Sequence, residues 1–89
     1  MGVSGTRQRA NRRNRLYERQ GGRCAYCGHP MNANVTFEHV WPKSLGGTQA
    51  ISNGLAVHGR CNRRKASKPP TIGIYLEHPH LVIPQRFWA

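Results

Sequence analysis

The chain predicts a small α+β domain held together by a metal, and three observations carry the prediction. Eighty-nine residues, 37% of them hydrophobic, make one domain at most, and a chain of that size is marginal on apolar burial alone. Scaffolds of this kind need a staple, either disulfides or a structural metal. Two half-sites at metal-ligand spacing, Cys24-Ala-Tyr-Cys27 and His58-Gly-Arg-Cys61, flank a segment of about thirty residues. Short β-prone runs lie between them, and stretches of helical composition lie before and after.

Residues 1–5 read as a frayed tail and Thr6 to Gln20 as a helix. Arg, Gln, Ala, Leu, Tyr and Glu are mostly fair helix formers, and Gly21-Gly22 supplies the stop. Its apolar positions are only Ala10, Leu16 and Tyr17, so it docks by its far end and is otherwise solvated. Cys24 to Cys27 is a tight knuckle, followed by the turn residue Gly28. Val35 to Val40 is β-prone and short, a strand ended before Pro42. Lys43 to Ser52, with Gly46-Gly47, is a loop, and Leu55-Ala56-Val57 a second strand. His58 to about Ala66 reads as a basic helix, stopped before Pro69-Pro70. The tail holds Tyr75, Leu81, Phe87, Trp88 and several more apolar residues, so it is expected to pack back on the domain. The organisation is a basic arm over 1–20, a metal-stapled core over 21–70 and an apolar tail over 71–89.

Fourteen Lys and Arg stand against three Glu and no Asp, a net charge of +11. That balance predicts a polyanionic partner, and in a cell nucleic acid comes first. An acidic membrane surface competes, but it calls for a basic helix with a large apolar face, which the arm lacks. No apolar run approaches a transmembrane span, and Met1 to Ala10 has no secretory h-region. The expectation is a soluble cytoplasmic protein. Arg7, Arg9, Arg12, Arg13 and Arg15 form either a solvated face or a phosphate-contacting arm, and the one-sided sign favours the arm. Arg60, Arg63, Arg64, Lys65 and Lys68 make a second basic group.

Three cysteines are an odd number, so disulfides alone would leave a thiol over. Cys24, Cys27, His58 and Cys61 complete a zinc set instead, and metal use in place of disulfides suits a reducing compartment. A closed set of four protein ligands reads as structural zinc rather than catalytic zinc. His29 lies near enough in sequence to compete, but the second half-site already supplies the fourth ligand. A redox role for Cys24 and Cys27 is weaker, because a basic helix precedes them and not the strand of a βαβ unit.

Inside the stapled segment lie Glu38-His39 and Asn53, and Asn62 follows the last zinc ligand. Phosphodiester hydrolysis needs a base for water, charge neutralisation at the phosphate and help for the leaving oxygen. His39 is the natural base, since a neutral imidazole is available near pH 7. Phe37 and Trp41 share its strand parity, so a buried, inert His39 is the competing reading. The carboxylate of Glu38 and the amide of Asn62 are hard oxygen donors for a divalent cation, Mg²⁺ or Mn²⁺. Lys65 is three residues beyond Asn62, on one helix face, and is placed to meet the phosphate. Asn53 holds the loop that aims His39 by bonding backbone, or else it is an ordinary Asn-Gly turn.

The run Cys24-x-x-Cys27, Glu38-His39-Val40-x-Pro42-x-Ser44-x-Gly46-Gly47, Asn53-x-Leu55, His58-x-x-Cys61-Asn62-x-x-Lys65 resembles the zinc-containing HNH endonucleases. The resemblance covers roughly residues 12 to 68. It implies a ββα-metal core: two antiparallel strands, a helix and a zinc knuckle at the base. It implies His39 as general base, Asn53 as its orienting residue and Asn62 as a catalytic-metal ligand. Three departures stand out. Glu38 replaces the common Asp, His58 stands where Cys is common, and the apolar tail has no counterpart. Small stand-alone members resemble phage and bacterial proteins, some working beside the DNA-packaging (terminase) machinery.

Two further readings remain. One is a zinc-stabilised nucleic-acid-binding module without turnover, although binding alone needs no base beside a carboxylate. The other directs the chemistry at RNA, since phosphate contacts carry no base identity; the scarcity of aromatics argues against a single-strand platform. One small subunit offers one active centre. It is therefore expected to nick as a monomer, with double-strand cleavage needing a transient dimer.

Overall fold

A computed structural model describes residues 4–32, 35–65 and 68–88, with the side chains of residues 4–9 outside the described part. Helix α1 runs Ser4–Arg19. It ends where Gly21 and Gly22 adopt left-handed backbone, φ 64° and 77°, a conformation open to glycine at no steric cost. The Gly22 N–H closes the turn on the Tyr17 carbonyl at 2.9 Å. The cysteine knuckle follows, its ends tied by a bridge between Arg23 and Pro30. Strands β1 (Val35–His39) and β2 (Gly54–His58) pair antiparallel, with Val35 opposite His58, Glu38 opposite Leu55 and His39 opposite Gly54. Helix α2 (Gly59–Lys65) leaves β2 directly, and α3 (Ile72–Glu77) lies in the tail. Short 3₁₀ turns occupy Lys43–Leu45, Ile51–Asn53 and Gln85–Trp88. Two antiparallel strands, a helix springing from the second, and a Cys/His cluster at their base make the ββα-metal form of the α+β class.

All five residues of β2 are buried, and its surroundings say why. Strand β1 takes one edge. The other edge would expose unpaired backbone groups, and the Gln20 side chain covers it as a missing strand would. Its Nε2 donates to the Ala56 carbonyl at 2.7 Å and its Oε1 accepts from the Ala56 N–H at 2.8 Å. Helix α1 packs over both strands, putting Leu16 among Val40, Leu55 and Val57 in the core. The tail closes the far side. Tyr75 and Leu81 enter the same core. The Val82 N–H donates to the Ser52 carbonyl at 2.8 Å, and Arg86 Nη1 donates to the Leu45 carbonyl at 3.0 Å. Phe87 sets its ring edge-on to Tyr75 at 5.4 Å and to Trp41 at 6.5 Å. The tail thus lies along the loop that joins the two strands.

Element ends differ from the sequence reading for local reasons. Strand β1 stops at His39 because its partner leaves the ladder: the Val40 N–H still meets the Asn53 carbonyl in register, but the Asn53 N–H turns to the Ala50 carbonyl, 2.9 Å away. His58 belongs to β2 and not to the helix: it pairs with Val35, and its N–H points at Cys24 Sγ, 3.4 Å away. Helix α2 ends at Lys65, and the expected terminus Ala66 lies outside the described residues. Helix α1 starts at Ser4, ahead of the expected Thr6. The expected loop from Lys43 to Ser52 contains one 3₁₀ turn and the start of another.

Candidate metal centre and active site

The knuckle and the β2–α2 junction bring four ligand atoms together. The Sγ atoms of Cys24, Cys27 and Cys61 and a ring nitrogen of His58 all lie within 4.8 Å of one another. His58 Nδ1 is 3.4 Å from Cys27 Sγ and 3.9 Å from Cys61 Sγ. Tetrahedral zinc with ordinary bond lengths requires roughly 3.5–3.8 Å between such atoms. The other ring nitrogen, Nε2, lies 3.1 Å from the Pro30 carbonyl. Donating there leaves Nδ1 as the lone pair for a metal, the usual outer contact of a ligating imidazole. Backbone N–H groups of Tyr26 and His58 point at Cys24 Sγ, each at 3.4 Å. Burial pushes the Cys24 thiol up, yet N–H groups from Cys27, His58 and Tyr26 outweigh it and bring it down to about 6. Burial and the neighbouring cysteines push Cys61 up to about 11. A soft donor set of this kind fits zinc.

The loop from Trp41 to Thr48 is pinned by Asn53, which is 7% exposed. Its Oδ1 accepts from the Trp41 N–H at 2.9 Å, and its Nδ2 donates to the Trp41 and Thr48 carbonyls at 3.1 and 2.8 Å. Asn53 therefore reaches His39 through backbone two residues on, not by a side-chain contact. The loop doubles back so tightly that a Cβ on Gly47 would land on the Trp41 carbonyl oxygen. Trp41 lies beyond the end of the strand, so strict alternation no longer ties it to Phe37 and His39. Its indole Nε1 donates to the Leu45 carbonyl at 3.1 Å.

At the end of β1, His39 and Glu38 point to opposite sides, as strand alternation requires. His39 sits edge-on to Phe37, ring centroids 5.3 Å apart. Its Nε2 is buried and makes no hydrogen bond among the described residues. Burial lowers its basicity below the ordinary imidazole value; Glu38 opposes this, and the cations of Lys43, Lys65 and Arg12 reinforce it. These effects together disfavour the charged ring. Glu38 is 4% exposed. Its Oε2 accepts from the Tyr26 hydroxyl at 2.8 Å and pairs with Lys65 Nζ at 3.2 Å. Burial and the Glu38 charge push the Tyr26 phenol up, so it stays protonated and donates.

Asn62 stands one turn before Lys65 on α2. Lys65 pairs with Glu38, and Asn62, three residues earlier, shares its side of the helix by spacing. Two hard oxygen donors on facing elements suit Mg²⁺ or Mn²⁺ in kind. Arg60, Arg63, Arg64 and Lys68 are exposed, while Arg12 and Arg13 of α1 are half-buried and Arg15 is exposed. The side chains of Arg7 and Arg9 lie outside the described part. Sequence reasoning missed Tyr26, whose place inside the knuckle gave no sign that it would reach Glu38. It also missed that Arg12, one of the arm's cations, sits close enough to act on His39.

Comparison with known proteins agrees with this geometry. The HNH endonuclease family model matches residues 24–71, more than half of the chain. The chain belongs to the HNH endonuclease family. It is also similar to the CRISPR-associated endonuclease Cas9 of Corynebacterium diphtheriae, 39% identical over 57 residues. That match spans 62% of this chain and 5% of the relative. No helix among the described residues is long and apolar enough to cross a membrane.

Proposed function

We propose that this chain is a DNA endonuclease that hydrolyses phosphodiester bonds, with His39 as general base. The observation that supports this most is the state of His39. Burial and nearby cations disfavour its charged form, its buried Nε2 lacks a partner among the described residues, and it ends a strand beside the carboxylate Glu38. Most buried polar atoms of folded proteins are paired, and the unpartnered Nε2 leaves this ring a position from which to accept a proton. In this reading the neutral ring takes the proton of the attacking water, and Asn53 keeps the chain beyond His39 in one path. Glu38 and Asn62 would hold a divalent cation, which supplies charge neutralisation at the phosphate when bound. Arg12, Arg13, Arg15, Arg60, Arg63, Arg64 and Lys68 supply phosphate contacts, which position DNA without reading its sequence. The four-ligand cluster is a structural zinc site, since its closed set leaves no position for water. One centre per chain makes single-strand nicking by a monomer the expected outcome.

The test is nicking of supercoiled plasmid by wild type and His39→Ala at matched zinc content, with Mg²⁺, Mn²⁺ or EDTA. Loss of a general base costs about 10²–10⁴-fold, with DNA binding retained. Equal rates would remove His39 from the chemistry. No nicking by either protein, with binding intact, would make this a binding module.

A further inference from the structure

The contact between Glu38 and Lys65 bears on how the site takes up its metal. Glu38 is one of three acidic residues in the chain and the only one in the candidate site. Its Oε2 is already engaged twice, by the Tyr26 hydroxyl and by the Lys65 ammonium. Both members of the ion pair are largely shielded, their side chains 14% and 5% exposed. Lys65 Nζ makes no directed hydrogen bond to any described residue, so the carboxylate is the one charge that balances it. Removing either member would strand the other in a poorly solvated place.

Resting on the nuclease reading, we propose that the Lys65 ammonium is a built-in counter-cation on Glu38 that withholds this carboxylate from a divalent metal until the ammonium is drawn aside. A divalent cation arriving at Glu38 meets an ammonium already at the same oxygen. Two cations that close repel strongly where solvent is thin, so either the metal is held weakly or Lys65 moves. A route for that movement exists. Tyr26, Arg64, Lys65, Lys68 and Pro70 line an open groove of about 410 Å³. The groove carries two other cations, no carboxylate, and the metal-cluster cysteines Cys27 and Cys61 in its lining. An ammonium entering it leaves Glu38 for the side of the cysteine cluster, beside the cations Arg64 and Lys68, and one entering with an anion such as a backbone phosphate gains a closer partner. The length of Glu38 matters here, because the shorter side chain of Asp would end nearer the strand and farther from Lys65.

Mn²⁺ binding to the zinc-loaded full chain, followed by the resonance of free Mn²⁺ without DNA, tests the idea. Lys65→Met, which keeps length and removes charge, should bind Mn²⁺ about tenfold more tightly than wild type or better. Lys65→Gln, which keeps a donor for Glu38, should do the same and serves if the methionine variant misfolds. A neutral variant that binds no tighter overturns the proposal. Wild type offers an independent measurement, because the chain has only three lysines. In NMR spectra of lysine-labelled protein, saturating Mg²⁺ should shift the side-chain signal of Lys65 and leave Lys43 and Lys68 in place. A Lys65 signal that does not move overturns it equally. Plasmid nicking by wild type separates the two levels: nicking with a negative Lys65 result removes this inference alone, and absence of nicking removes the nuclease reading.

Discussion

Replacing Asn53 probes the joint between scaffold and chemistry. The side chain is buried and makes three hydrogen bonds, one accepted from the Trp41 N–H and two donated to the Trp41 and Thr48 carbonyls. Each is worth about 1 kcal/mol net, so Asn53→Ala should cost about 3 kcal/mol. Domains of this size have about 5–15 kcal/mol in total, so the variant should still fold in the cold. Asn53→Asp should cost more at neutral pH. Its carboxylate keeps the bond from the Trp41 N–H but turns an oxygen toward two carbonyl oxygens that had faced an NH₂ group. Thermal or urea unfolding at matched zinc content measures both. Nicking is assayed well below the melting temperature, where both variants are folded, and should fall because the chain beyond His39 is no longer held. An Asn53→Ala protein within about 0.5 kcal/mol of wild type, the usual range for neutral surface changes, would refute the pinning argument. Full activity with the expected loss of stability would restrict Asn53 to the scaffold.

The cluster of Cys24, Cys27, His58 and Cys61 should hold about one zinc per chain, because each tetrahedral set closes on one ion. Cys61→Ser or chelation should abolish the cooperative melt, since metal binding to such a site is folding free energy; a metal-free chain with an unchanged melt would count against it. The lowered basicity of His39 predicts an acid limb in kcat/KM with its midpoint below the ordinary imidazole value of 6.5. Arg12→Gln removes a cation that disfavours the charged ring, so it should move that midpoint upward; a wild-type midpoint at or above 6.5 would contradict the assignment. The same shift has a stability consequence. Below pH 6.5 the unfolded chain takes the His39 proton before the folded chain does. This contribution is therefore present above that pH and is lost as pH falls through the lowered folded value.

Much of this protein was legible in the sequence because its chemistry is written in short spacings. Cys-x-x-Cys and His-x-x-Cys each place two donors on one point through a local turn, and the fold had only to bring the two half-sites together across about thirty residues. The two strands and the helix after them followed from β-propensity and from glycine and proline stops. Alternation along β1 sent Glu38 and His39 to opposite sides, as period two requires. Other features depend on which elements face each other, and no local pattern encodes that. Gln20 closes the edge of β2 across 36 residues. Arg86 reaches the Leu45 carbonyl across 41. Tyr26 and Lys65 meet on Glu38 from the knuckle and from α2. Each of these contacts joins side chains that the chain alone would leave in solvent, and packing around one small core put them together. The sequence determined the kind of donors and bases this protein carries; tertiary structure decided which charge each one faces.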